Sequence, residues 1–250
     1  MHDALLLLAL APDPRGEPFA GAIEWSFDPF VLAGVLIASF LCGSVPFGLL
    51  IGRLHGIDLR TVGSGNIGAT NLGRALGRSW GIACFVLDAL KGALPVLAFG
   101  LWADLWGIPL ADAAAGPTTA WVTVAAAAIL GHVFCPWLGF KGGKGVATGF
   151  GAMAAMWPLL TLPMLGALLG WVILIALSRY VSLASVVAAF VPPAVILIQS
   201  FDVDLWPPRA APPLLLVTSL IALLVLLRHR TNVARLLAGT EPRIGRRPRP

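Results

Sequence analysis

The sequence predicts an all-α integral membrane protein of about seven transmembrane helices, with the N-terminus outside and the C-terminus cytoplasmic. Three observations carry this: an apolar composition, charge-free windows of membrane-crossing length, and a one-sided distribution of Lys and Arg. Of 250 residues, 58% are hydrophobic and 12% charged, with a mean hydropathy of +0.88, against roughly a quarter charged in soluble domains. That excludes disorder, collagen and a nucleic-acid-binding domain, so the basic balance needs another explanation.

Windows long enough to cross a hydrocarbon core of ~30 Å, about 20 helical residues, run over Pro29–Gly52, Thr119–Phe140, Tyr180–Phe201 and Ala210–Leu227. Ser79–Ala103 joins them, carrying only Asp88 and Lys91. Gly145–Ser178 has no charge and is too long for one crossing, and Pro158 and Pro163 invite a turn within it. Seven crossings place the 53–78 and 141–144 loops, Arg179 and the tail from Arg228 on one side. Of the 17 Lys and Arg, all but Arg15, Arg209 and Lys91 then share that side, leaving 14, and nine of the 12 acids lie opposite, all but Asp58, Asp88 and Glu241. The basic side is cytoplasmic by the positive-inside rule. A single helix over 145–178 reverses that agreement.

The membrane domain is expected over 29–241. Residues 1–28 read as an N-terminal extension, apolar near their start but lacking the cationic stretch of a secretory signal. Residues 242–250 form a basic Arg/Pro tail attracted to anionic lipid. Cys42, Cys84 and Cys135 all fall in apolar stretches with no paired spacing, and read as reduced, packed thiols.

The basic loops are also dense in Gly, Ser, Asn and Thr, which anchoring alone does not require. Val62–Arg74 carries Gly63, Gly65, Gly68 and Gly73 around Ser64, Asn66, Thr70 and Asn71. A glycine turn feeding a helix from near Thr70 offers N–H groups and a positive dipole end to phosphate, and Arg74 adds a two-pronged donor. The Gly63-x-Gly65-x-x-Gly68 spacing matches a dinucleotide fingerprint, but no strand precedes it. In Gly131–Thr148, Lys141, Gly142, Gly143 and Lys144 sit where a crossing ends. Gly145 follows Lys144, so this is not a nucleotide-hydrolysing loop; the lysines serve as headgroup anchors or as a phosphate cradle. Asp88 and Lys91 share a helix face three residues apart and read equally as an ion pair or, for Lys91, a substrate contact. Ser182 lies in a small polar island beside Arg179. His229 and Asn232 share a face at i, i+3, with Arg228, Arg230 and Arg235 expected to depress the imidazole.

Absent devices narrow the chemistry. No His is followed by Asp five residues on, no cytoplasmic carboxylate cluster suits Mg²⁺, and no G-x-S-x-G elbow occurs. No metal and no cofactor is expected.

Taken together, GSVPFG (43–48), GSGNIGATN (63–71) with Arg74, GHVFCPWLGFKGGKGVAT (131–148), and RHRTN (228–232) before GTE (239–241) resemble the bacterial acyl-phosphate:glycerol-3-phosphate acyltransferase family. The match runs in order over roughly residues 30–241 with no departure inside the motifs. The resemblance implies a seven-helix enzyme of the bacterial inner membrane, its site facing the cytoplasm. It implies transfer of a fatty acyl group from acyl phosphate to the 1-hydroxyl of glycerol 3-phosphate, giving lysophosphatidic acid in the first acylation of phospholipid synthesis. Carried over by motif, Gly63, Ser64, Gly65, Asn66, Thr70, Asn71 and Arg74 belong to a first phosphate loop and Lys141, Gly142, Gly143 and Lys144 to a second, with Ser182, His229 and Asn232 completing the site. Ser64, Arg74, Lys144, His229 and Asn232 are the expected catalytic group, His229 and Asn232 as positioners. Expected partners are the two substrates, membrane lipid and an enzyme that makes acyl phosphate, with no nucleic acid. The competing readings are an organophosphate transporter, disfavoured by the absence of a clear inverted repeat, and a scaffold, which leaves the glycine loops unexplained.

Overall fold

The structure, a computed structural model, describes residues 27–201 and 210–245. The extension up to residue 26, the acidic 202–204 stretch, Arg209 and the tail from residue 246 lie outside the described residues. Those described form helices and two short 3₁₀ turns, with no strand among them.

Helix α1 (Pro29–Gly43) begins on Asp28, whose carboxylate accepts from the Phe30 and Val31 N–H groups. Pro at the first helical position loses no bond there. Asp28, expected in the extension, is thus the helix cap. Pro46 has no N–H to continue the ladder, and the expected single crossing becomes α1 plus α2 (Phe47–Leu54), a span of 26 residues with the break included. A glycine-rich loop leads to α3 (Ala69–Leu76), and α4 (Arg78–Trp102) runs 25 residues, about 37 Å of helix. Pro95 inside α4 leaves the Lys91 carbonyl without its helical donor. The Cys42 thiol of α1 takes that carbonyl at 3.3 Å, and the Cys84 and Cys135 thiols likewise donate, to Asp88 and to the Ser44 carbonyl.

After α5 (Ala115–Val133) the uncharged stretch divides as its length demands, into α6 (Val146–Ala154) and α7 (Thr161–Ser178). The turn lies at Pro158; Pro163 sits in the first turn of α7, where proline is tolerated. Lys144, before α6, bonds to residues beyond the last long helix, whereas the Trp157 carbonyl accepts from Gly107 N–H past the far end of α4. The chain therefore passes from one end of the bundle to the other and back between 144 and 178. Helix α6 does this with nine helical residues, about 13 Å. The next crossing breaks at Phe190 before Pro192 and Pro193, giving α8 (Val181–Ala189) and α9 (Val191–Gln199). Helix α10 (Ala211–Arg228) follows, and α11 (Arg230–Leu237) caps the end. Six helical segments among the described residues are long and apolar enough to cross a membrane.

Glycine sets the tightest packing. A Cβ on Gly43 or Gly131 collides with α5 or α1 backbone, and one on Gly92 or Gly151 collides with α6 or α4 backbone. Such small residues let helices approach where lipid offers no hydrophobic drive. The indole of Trp121, fully buried, covers Gly100 and donates to the Val96 carbonyl at 2.9 Å, so α4 and α5 lock around one ring.

Gly151→Ala is expected to cost about 1–3 kcal/mol through overpacking, lowering the thermal midpoint of the detergent-solubilised protein. Gly166→Ala, whose methyl meets nothing within 4 Å, is expected to hold or gain about 0.5–1 kcal/mol.

Candidate active site

One end of the bundle gathers the start of α4, the loop after α5, the α7–α8 corner and α11. At its centre lies the Glu241 carboxylate, among basic side chains. Its Oε1 accepts from Ser182 Oγ and Asn232 Nδ2, both at 2.7 Å, and its Oε2 from Arg235 Nε at 2.8 Å. Burial works against the charge of Glu241, but these three bonds outweigh it and hold the carboxyl below its usual range. Asn232 passes the connection on: its Oδ1 accepts from Lys144 Nζ at 2.6 Å. Burial pushes the Lys144 ammonium down to about 8, with Glu241 opposing and Arg235, Arg74 and Arg228 reinforcing the shift.

The loop that carries Lys144 is held from both sides. Gly142 and Gly143 donate their N–H groups to the Val133 and His132 carbonyls, both at 3.1 Å. Their carbonyls accept from Arg228 at 2.9 and 3.3 Å. A Cβ on Gly143 collides with the His132 ring. The two glycines therefore build the turn, and their N–H groups are not offered to a ligand as the motif alone suggests. The unpaired donors lie one step on, at the N-terminus of α6 behind Lys144, where the first N–H groups of a helix have no internal partner.

The first loop is organised by Asn71, 2% exposed. Its Oδ1 accepts from Ser64 N–H at 3.1 Å and its Nδ2 reaches the Leu59, Val62 and Asn66 carbonyls at 3.2, 2.9 and 2.9 Å. Asn66 Oδ1 accepts from Gly68 N–H. The Asn71 amide is thus spent on loop shape, whereas half-buried Asn66 gives the loop only its Oδ1 and keeps its Nδ2 donors. Gly63 and Gly65 take left-handed backbone, at φ 59° and 68°, which turns the chain around the Asn71 amide. Ser64, Thr70 and Arg74 stay exposed on its rim. Helix α3 starts at Ala69, one residue before the expected Thr70. Arg74 reaches across to the Pro242 carbonyl at 3.4 Å, joining this loop to the Glu241 centre.

His229 is the hinge residue between α10 and α11, and both it and Asn232, three residues on, are buried. Its Nδ1 lies 2.8 Å from the Val225 carbonyl. A carbonyl only accepts, so Nδ1 carries the proton and Nε2 keeps its lone pair. Burial lowers the imidazole to about 4, with Lys144 the cation that reinforces it. The expected shift is present, but burial and Lys144 cause it, not Arg228, Arg230 and Arg235.

Lys91 is directed elsewhere. At 3% exposure it pairs with Asp88 Oδ1 at 2.7 Å and donates to the Val45 carbonyl at 2.6 Å, inside the bundle. The ion-pair reading describes its position. Lys141 is exposed, with no side-chain bond among the described residues. The structure therefore brings together Arg74, Lys144, Ser182, His229 and Asn232, and adds Arg228, Arg235 and Glu241. Glu241 stands in the last motif, where a carboxylate weighed only as a metal ligand is passed over. No group of His, Cys, Asp and Glu suited to a metal occurs among the described residues.

Residues 33–239 match the family model described as glycerol-3-phosphate acyltransferase. The chain belongs to the glycerol-3-phosphate acyltransferase family. A relative of that name from Trichlorobacter lovleyi is 46% identical over 82% of this chain and 94% of its own, and one from Aquifex aeolicus is 38% identical over 84% and 97%. Among solved structures, PlsY, an integral membrane glycerol 3-phosphate acyltransferase, superposes in its glycerol 3-phosphate form with a TM-score of 0.71. That match is 37% identical over 86% of this chain and 96% of the other. A second structure, the lysophosphatidic acid form, gives 0.69 at 35% identity over the same shares. Family membership favours the acyltransferase over the transporter and scaffold readings.

The site chemistry predicts a pH window. Lys144 loses its charge above about 8, and a phosphate monoester gains its second charge near about 6. kcat/KM is expected to be highest between these values and to fall on either side. Lys144→Arg, charged throughout, should abolish the alkaline fall; a wild-type kcat/KM that stays level well above the lysine's titration shows that the Lys144 charge is not used.

Proposed function

We propose that this chain transfers a fatty acyl group from acyl phosphate to the 1-hydroxyl of sn-glycerol 3-phosphate, releasing lysophosphatidic acid and phosphate. The observation that carries this reading is the junction of a cationic end with an apolar slot. The slot is lined near that end by Gly145, Val146 and Val225 and farther in by Met153, Met164 and Ile221. Gly145 follows Lys144, and the Val225 carbonyl holds His229. An acyl phosphate has the same two parts, a phosphate joined to a long apolar chain.

In this reading Lys144 and the N–H groups opening α6 hold one phosphate, while Arg74 and Ser64 hold the other at the rim. Helix N-termini suit phosphate through unpaired donors and dipole. The hydroxyl oxygen attacks the carbonyl carbon, the bond from carbonyl carbon to phosphate oxygen breaks, and the hydroxyl proton passes to a phosphate oxygen. The mixed anhydride already carries a good leaving group, so orientation and charge stabilisation are what the protein supplies. Ser182, Asn232 and neutral His229 fix the geometry of Lys144 and the acceptor. Lys91 is committed to Asp88 and the Val45 carbonyl, and Lys141 retains the reach of an exposed loop cation.

The positive-inside argument sets the membrane frame: seven crossings with α6 the short one, N-terminus outside, C-terminus and site in the cytoplasm of a bacterium, in its inner membrane. The domain boundaries at 29 and 241 go with it. An enzyme making acyl phosphate is the implied supplier.

Purified protein, given glycerol 3-phosphate without metal, is expected to make lysophosphatidic acid from palmitoyl phosphate and none from palmitoyl-CoA; the reverse overturns the donor. Lys144→Ala and Arg74→Ala are expected to lower kcat/KM by about 100-fold or more. His229→Gln should lose about tenfold, and raising the pH should not restore it; recovery at high pH makes His229 a true base.

A further inference from the structure

The apolar slot has one wall that differs from the rest. Helices α4 and α7 are not a packed pair. Across the gap between them the rings of Phe85 and Trp171 stack, 6.1 Å between centroids and 27° between planes. Both rings are half-buried, with Val86, Val172 and Ile173 exposed beside them. Phe150 stands beside Phe85 at 6.2 Å. Phe85 and Phe150 line the slot and also a larger open groove of about 540 Å³ that runs past Val86, Leu90, Leu97 and Trp106. The slot itself is narrow, about 60 Å³, so a long acyl chain either extends past its walls or parts them. The α4–α6 wall cannot give, because Gly92 and Gly151 already bring backbone against backbone. The α4–α7 wall, closed by side chains alone, is free to part.

A single polar contact holds that wall. Trp171 Nε1–H donates to Ser185 Oγ at 3.1 Å, and Ser185 is 3% exposed within the apolar lining. An indole N–H left unpaired in such surroundings is costly, so the serine fixes the resting position of the ring.

We propose that Phe85 and Trp171 form a lateral door to the acyl slot, latched by Ser185, that selects donors by chain cross-section; the door rests on the reading of this slot as the acyl site. The rings lie seven residues from the ends of their helices, Arg78 and Ser178, about 10 Å below the cationic end. The door therefore reads the middle of the chain. Straight chains pass the parted rings, and chains with a bulky mid-chain branch do not.

The test compares kcat/KM for palmitoyl phosphate and for an acyl phosphate with a mid-chain phenyl or geminal dimethyl group, in wild type, Phe85→Ala, Trp171→Ala and Ser185→Ala. Wild type is expected to favour the straight chain by about tenfold or more, and Phe85→Ala and Trp171→Ala to reduce that preference to about twofold. Ser185→Ala, which keeps both rings and removes the latch, should shift it in the same direction by a smaller factor. KM for glycerol 3-phosphate should move little, which a general loss of structure does not allow. An unchanged preference in Ser185→Ala and Phe85→Ala, with that KM intact, overturns the door while leaving the acyl-phosphate reading in place. A wild type that uses no acyl phosphate at all overturns that reading and the door with it.

Discussion

The geometry of the candidate site depends on one buried carboxylate. Glu241 draws Ser182 from α8, Asn232 and Arg235 from α11 and, through Asn232, Lys144 from the loop before α6. Four cations, Arg74, Lys144, Arg228 and Arg235, crowd this end, and without a central anion their repulsion opposes compaction. Both oxygens of Glu241 are taken by donors, so it organises the site rather than offering itself as a base. The net charge left over is positive, which suits a phosphate-bearing substrate.

The second constraint is the apolar surroundings, in which each backbone polar group has to find a partner inside the bundle. Irregular backbone concentrates at the two ends for that reason. Where proline interrupts a helix, another group takes the freed carbonyl, as Cys42 does for Lys91 behind Pro95. The buried Asp88–Lys91 pair follows the same logic, each charge cancelled by the other within one turn of α4. Glycine packing removes slack from these helix contacts and leaves adaptability to side chains such as Phe85 and Trp171.

Much of the fold is legible in the sequence. The crossings are visible because apolar runs of that length have few other uses, and the division at 145–178 is forced by length together with Pro158. Motif order gives Arg74, Lys144, Ser182, His229 and Asn232 as neighbours. Their roles are less legible. Asn71 looks like a ligand donor in a line of letters, yet its amide is consumed by Leu59, Val62, Ser64 and Asn66 of the same loop. Gly142 and Gly143 likewise look like a phosphate cradle, but Val133 and His132 take their N–H groups.

By itself the sequence determined the membrane class, the placement of basic loops at one end and the family, since these rest on composition, length and ordered motifs, all local or additive properties. Only the tertiary structure decided which polar groups were already spent. A hydrogen bond satisfies one donor with one acceptor, and partners such as Lys144 and Asn232, 88 positions apart, are assigned by folding in three dimensions. The same is true of Glu241, an ordinary acid in the chain that becomes the centre of the site only when the surrounding helices close around it.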